Sequence, residues 1–216
     1  YKFMMTEKIV IIGGGQASIS CASQLRSLGF NGEICMICEE DYYPYQRPPL
    51  SKRFLTGQIL EERLLLKKID YYKTNNINVL LSKKVTKIDR DNKKVHLKNG
   101  EKIEYTKLVI AVGSRAKKAP LSDRDSYSNV FYLRNLHDAK NLKKHLNKGK
   151  KILIIGGGYL GLEVASICSS CGMNTIVVEG AERILKRVSG EPTAAYIREI
   201  FSIKGVKIIE NDFVKK

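Results

Sequence analysis

Lys8-Ile9-Val10-Ile11-Ile12-Gly13-Gly14-Gly15-Gln16-Ala17-Ser18 is the stretch that decides the fold. The five residues before the glycines form a short, β-branched apolar run, the pattern of a buried strand. The glycines end that run in a tight turn, and residues 17–28 have helical character, closed by Gly29 as a C-cap. Residues 33–38 then read as a second strand that delivers Glu39. Strand, glycine turn, helix and strand in so short a stretch make the βαβ unit of a dinucleotide-binding fold.

The arrangement returns further along. Lys151-Ile152-Leu153-Ile154-Ile155 runs into Gly156-Gly157-Gly158-Tyr159-Leu160-Gly161, then a helix to about Ser170 and a strand over 174–178 that delivers Glu179. The first glycines of the two turns, Gly13 and Gly156, lie 143 residues apart. That period is too long for a solenoid and implies two nucleotide-binding domains in one chain. The fold class expected is therefore α/β with two Rossmann-like domains, 4–118 and 119–216, the boundary falling in the polar stretch 114–129.

Each glycine has a separate task. Gly13 permits the turn, and Gly15 lets the backbone approach a pyrophosphate seated on the N–H groups of the following helix. Ser18 is small enough for the helix to pack close on the strand. Glu39 comes 26 positions after Gly13, where a carboxylate can accept hydrogen bonds from ribose hydroxyls. Gly156, Gly158 and Gly161 complete the motif in the second unit, with Glu179 placed 23 positions after Gly156. A carboxylate there pairs with a 2′-OH and repels a 2′-phosphate, so NADH is expected over NADPH. Arg183 and Arg187 follow closely and temper this, because a guanidinium can serve a phosphate.

Between the two units, 41–49 reads as a Tyr- and Pro-rich loop and 67–74 as a helix. Residues 79–88, 93–97 and 102–105 read as strands, with an Asn99-Gly100 turn. Residues 107–113 form a buried strand ending in glycine, and 138–146 a basic helix. A helix over 193–202 and a strand over 206–209 follow the second unit.

The 216 residues carry 38 Lys+Arg against 22 Asp+Glu, a formal charge of +16. Nucleic acid, an anionic membrane or an acidic protein are the partner classes such a charge suggests. Most of the bases are lysines spread along the chain without aromatic interleaving, so no nucleic-acid partner is expected. No apolar run approaches the length of a membrane helix, and the glycine-interrupted start does not read as an export signal. Five cysteines are too few for a disulfide framework. A reducing, cytoplasmic setting is expected.

Two C-x-x-C spacings raise the possibility of thiol chemistry. Cys35 and Cys38 sit on a strand, where positions i and i+3 face opposite ways. Cys168 and Cys171 lie at the far end of the second helix, away from its glycine turn. Core packing is the reading preferred for both pairs, and no metal site is expected. His96, His137 and His145 stand in or beside Lys-rich segments and are expected at the surface.

Taken with the two glycine turns, Pro44-Tyr45-Gln46-Arg47-Pro48-Pro49-Leu50-Ser51-Lys52, Leu133-Arg134 and Gly161-Leu162-Glu163 resemble the FAD-dependent NADH:ferredoxin reductases. These have the glutathione-reductase-like pyridine nucleotide–disulfide oxidoreductase fold. The resemblance implies FAD at the first turn and NADH at the second. It places Gln16, Ala17, Arg47, Val85, Ala111, Gly113 and Arg134 among the FAD contacts, Glu39 on the adenosine ribose and Lys52 beside the isoalloxazine. It also places Glu163 and Tyr159 near the nicotinamide and Leu160 among the cofactor contacts, and Lys52 and Glu163 are the residues assigned to catalysis. The implied activity passes hydride from NADH to FAD and then single electrons to a ferredoxin-type iron–sulfur protein. Val112 and Thr106 depart from the family, where Thr and Asp are usual. The positions at which thiol-dependent relatives carry their redox cysteines hold none here.

Two alternatives remain at this stage: an NADH oxidase or apoptosis-inducing-factor-like flavoprotein of the same fold, and, more remotely, a basic nucleic-acid-binding protein. Because the family continues beyond the equivalent of Lys216, the chain is expected to be an N-terminal piece of a longer enzyme, inactive alone.

Overall fold

The computed structural model describes residues 7–118 and 127–214. The middle of the expected boundary, 119–126, lies outside the described residues, as do 4–6 of the first expected domain. Contacts divide the chain into two compact units. One holds 7–46 with 61–115, and the other holds 47–60 with 116–118 and 127–214.

In the first unit β1 (Lys8–Ile12) is followed by α1 (Gln16–Ser27) and β2 (Glu33–Ile37), as the periodicity predicts. After α2 (Ile69–Thr74) come β3 (Ile77–Leu80), β4 (Val85–Asp89), β5 (Lys94–Leu97), β6 (Lys102–Glu104) and β7 (Lys107–Ile110). A parallel sheet runs β3-β2-β1-β7, and β4-β5-β6 form a separate antiparallel sheet. Both faces of β1 and β2 are covered. Ile9, Ile11, Ile34 and Met36 pack with Ile19, Ala22 and Tyr72 from the helices. Val10, Ile12, Cys35 and Ile37 pack with Val95 and Leu97 of β5. Burial on both faces explains why the strands are continuous apolar runs, each large side chain contributing about 1.5–3 kcal/mol.

The stretch 79–88, read as one strand, is two. β3 pairs in parallel with β2 and β4 antiparallel with β5, and between them Ser82 takes a left-handed φ of 56°. The chain changes sheet there, so one uninterrupted pairing is impossible. Arg26 secures the end of α1 by donating to the carbonyls of Phe30, Gly32, Asn75 and Asn76 at 2.6–2.8 Å. A cation in the last turn also suits the helix dipole.

In the second unit, one short 3₁₀ segment aside, the elements are α3 (Leu136–Lys143), β8 (Lys151–Ile155), α4 (Tyr159–Ser170), β9 (Asn174–Val178), α5 (Glu191–Ile203) and β10 (Lys207–Ile209). The parallel sheet runs β10-β9-β8. Leu162, Ala165, Val177, Ala194 and Phe201 join α4 and α5 to it. α3 begins two residues before the position read from the sequence, because Asn135 and Asp138 form a capping box there. The 3₁₀ turn Pro48–Ser51 belongs to this unit, and Lys143 lies over the Phe54 ring at 5.1 Å.

No helix among the described residues is long and apolar enough to cross a membrane. His137 and His145 are exposed. His96 is half-buried, with Nε2 4.0 Å from Asp89 Oδ2, so the surface expectation does not hold for it. Its place on β5 turns the ring toward the neighbouring strand β4.

Candidate functional site: two glycine turns and a Lys–Glu pair

The parallel register of β1, β2 and β7 brings the ends of these strands together in the first unit. Gly13-Gly14-Gly15, Glu39 and Ala111-Val112-Gly113 follow those ends. Gly13 has a φ of 131°, and a Cβ on it would stand 2.2 Å from the Ala111 carbonyl oxygen. No other residue fits there. A Cβ on Gly15 would meet nothing within 4 Å, so the space before α1 is open. Gly15 caps α1 without a side-chain hydrogen bond, leaving the first N–H groups at Gln16, Ala17 and Ser18 for an anion. The Ser18 hydroxyl is buried and has no protein partner.

Glu39 is exposed, and each carboxylate oxygen meets a cation. Arg115 Nη2 donates to Oε2 at 2.5 Å, and Lys84 Nζ lies 3.4 Å from Oε1. The Arg115 hydrogen bond, with help from Lys84, holds its carboxyl below the usual carboxylate range. Val85 follows Lys84 and opens β4. Sequence reasoning missed Arg115 and Lys84. The signal for Arg115 was its place just beyond the Gly113 turn.

The second unit repeats the geometry at the ends of β8 and β9. A Cβ on Gly161 would lie 1.9 Å from the Gly156 carbonyl oxygen, so α4 packs directly on the turn. Gly158 caps α4 with no side-chain bond and open space around it, and Tyr159 and Leu160 are exposed beside it. Glu179 accepts from Gly157 N–H at 2.6 Å and from Ala181 N–H at 2.8 Å. Its carboxylate is thereby fixed at the strand end. Arg187 is exposed.

The second unit also assembles Arg47, Ser51, Lys52, Arg134 and Glu163. Lys52 Nζ lies 2.7 Å from Glu163 Oε1, while the buried Ser51 hydroxyl donates to Glu163 Oε2 at 2.5 Å. Arg47 Nη1 donates to the Arg134 carbonyl at 3.0 Å. The Ser51 contact was not foreseen, although Ser51 stands inside the Pro-Pro-Leu-Ser-Lys segment. Lys52, Glu163 and Ser166 line an open cleft of about 310 Å³.

All five cysteines are free. Cys35 and Cys38 join opposite faces of the sheet, as expected from their spacing. Burial pushes the Cys38 thiol up to about 12 and that of Cys35 to about 11. Cys168 is pushed to about 11 for the same reason. Among the described residues, no group of three or more His, Cys, Asp or Glu could hold a metal ion.

Two parallel βαβ units, each with a glycine turn opening onto a helix N-terminus and an acid at the next strand end, define a chain built to hold two dinucleotides. Residues 7–216 match the pyridine nucleotide-disulphide oxidoreductase family, and the chain belongs to it. It is 39% identical over 198 residues to a rubredoxin-NAD(+) reductase of Pseudomonas putida, covering 92% of this chain and 51% of the relative. It is 35% identical over 204 residues to a putidaredoxin reductase of the same organism, covering 94% and 48%. The crystal structure of a covalent putidaredoxin reductase–putidaredoxin complex superposes with a TM-score of 0.94 at 34% identity, covering 97% of this chain and 51% of that one. The chain spans about half the length of the curated relatives it matches.

Proposed function

We propose that the chain is the dinucleotide-binding portion of a flavoprotein reductase that takes electrons from NADH and passes them to an iron–sulfur protein. The observation that carries this reading is that each unit has its own open glycine cradle, and the second unit also carries the Lys52–Glu163–Ser51 cluster. The relatives named for rubredoxin and putidaredoxin support the acceptor class. Five free thiols support a reducing, cytoplasmic setting.

The residues fit the two groups. At the first turn Gly15, Gln16, Ala17 and Ser18 would hold the FAD pyrophosphate, with Glu39 and Val85 toward its adenosine. Ala111 and Gly113 would line the same turn, and Arg47, Lys52 and Arg134 would supply further FAD contacts. At the second, Gly156, Gly158 and Gly161 would seat the NADH pyrophosphate and Glu179 its ribose hydroxyls, with Tyr159, Leu160 and Arg187 beside it. The chemistry supplied at these sites would be that of bound FAD, hydride acceptance from NADH and release of single electrons.

Lys52 supplies a positive charge whose counter-ion is held in place. With Oε1 facing Lys52 and Oε2 accepting from Ser51, the Glu163 carboxylate is held in one orientation. Lys52 balances negative charge accumulating beside it, and Glu163 orients polar groups of a nicotinamide. No side-chain nucleophile or base is needed.

Anaerobic NADH added to the FAD-loaded protein tests the reading by absorbance. Bleaching of the flavin band, followed by recovery on adding an oxidised rubredoxin or ferredoxin, is the expected result. Bleaching reversed by oxygen but by neither iron–sulfur protein would point instead to an oxidase.

A further inference from the structure

The segment between β9 and α5 carries Arg183, Lys186 and Arg187 directly after the ribose acid Glu179. Their partners differ. Lys186 Nζ lies 2.9 Å from Glu182 Oε2. Arg183 is turned inward, its side chain 16% exposed. Its Nη2 donates to the Ser189 carbonyl at 2.7 Å, and its Nε lies 3.5 Å from Glu191 Oε2. Arg187 is exposed, with no partner among the described residues.

Glu191, the first residue of α5, is itself held. Its Oε1 accepts from Arg198 Nη2, and Arg198 Nη1 donates to Glu210 Oε1 at 3.0 Å. The same Glu210 oxygen accepts from Ile184 N–H at 2.8 Å, and Leu185 N–H donates to the Gly157 carbonyl at 3.0 Å. The segment is thus tied both to Glu210, just after β10, and to the glycine turn, with Arg183 folded back onto α5. Glu179 takes backbone N–H groups only and lies against no side-chain cation among the described residues.

We propose that Glu191, braced by Arg198, is a specificity-determining residue of the second dinucleotide site: it masks Arg183, and a 2′-phosphate is thereby refused. The inference rests on the assignment of this site to a nicotinamide dinucleotide and adds what sets the choice between its two forms. With Arg183 neutralised and Lys186 paired with Glu182, the formal charges of Glu179 and Arg187 sum to zero. A phosphate carrying close to two negative charges then meets no net positive charge. Removing the Glu191 charge returns Arg183 as a planar, bidentate donor suited to phosphate. Glu191 acts through Arg183 and not by touching the dinucleotide.

Binding of NADH and of NADPH to the 216-residue chain, measured by calorimetry, tests this. Wild type binds NADH more tightly than NADPH. Glu191→Gln tightens NADPH roughly three- to tenfold while NADH changes by less than about twofold. Adding Arg183→Gln to that variant returns NADPH to the wild-type value. If the Gln variant does not fold, Glu191→Asp, which draws the charge back from Arg183, shows a smaller shift in the same direction. Unchanged NADPH affinity in a variant with native melting temperature and native NADH affinity overturns the proposal. So does a gain that survives the double substitution. Absence of NADH binding by the wild-type chain overturns the site assignment itself, and the masking with it.

Discussion

Lys52 Nζ lies 2.7 Å from Glu163 Oε1, joining the segment after the Pro48–Ser51 turn to the first turns of α4. The ammonium is half-exposed, whereas the neighbouring Ser51, which holds the other carboxylate oxygen, is buried. The two partners of Glu163 therefore contribute differently to stability and to chemistry.

Ser51→Ala removes a charged hydrogen bond inside the unit and is expected to lower unfolding free energy by about 1–2 kcal/mol. Lys52→Ala removes an exposed ion pair and is expected to cost about 0–1 kcal/mol. Urea unfolding of the two variants checks the order. In the FAD-loaded protein the order reverses for reduction by NADH, where Lys52→Ala is the more damaging change.

The glycine turns separate folding from binding. Gly161→Ala forces a side chain into the Gly156 carbonyl and is expected to destabilise the chain by about 1–3 kcal/mol. Gly158→Ala meets no protein atom, so its melting temperature stays near wild type. It occupies the space a pyrophosphate needs, and NADH affinity falls on the order of tenfold. Gly15→Ala does the same for FAD and leaves NADH alone.

Glu39 gives a pH signature. Its folded carboxyl is held below the ordinary value of 4.5 by Arg115 first and Lys84 next. The stabilisation is therefore complete above 4.5 and lost as pH falls through the lower folded value. Glu39→Gln is expected to flatten that acid limb of stability, measured by urea midpoints between neutral pH and about pH 3. At neutral pH the loss stays under about 1 kcal/mol, because the pair is exposed.

The thiols should divide by burial. Cys35, Cys38 and Cys168 are buried with raised pKa values, while Cys21 and Cys171 are half-buried. Titration with a disulfide reagent at pH 8 is expected to modify Cys21 and Cys171 first, and the other three only on unfolding. Fast reaction at Cys38 would contradict its position beneath the Gly13 turn.

The two βαβ units were legible because strand period, glycine turn and terminal acid all agree over a short span. Local patterns carry such units well. They do not carry the break at Ser82, because residues on either side of it are equally β-prone and only the choice of partner strand divides them. Nor do they reveal that 47–60 packs with α3 and α4, since those contacts span a long stretch of chain. At the sites, the glycines and acids could be placed from spacing. The partners of the acids, Arg115, Lys84, Ser51 and the Glu191–Arg183 pair, depend on which loops meet, and no periodicity reports that.

The proposed function requires that one chain hold two different dinucleotides at separate turns. Equilibrium dialysis of the 216-residue chain against FAD and NADH, singly and together, tests it most directly. One FAD and one NADH per chain are expected, neither displacing the other, with Gly15→Ala abolishing only the first and Gly158→Ala only the second. Competition between FAD and NADH for a single site, or loss of both from either substitution in a folded chain, would contradict it.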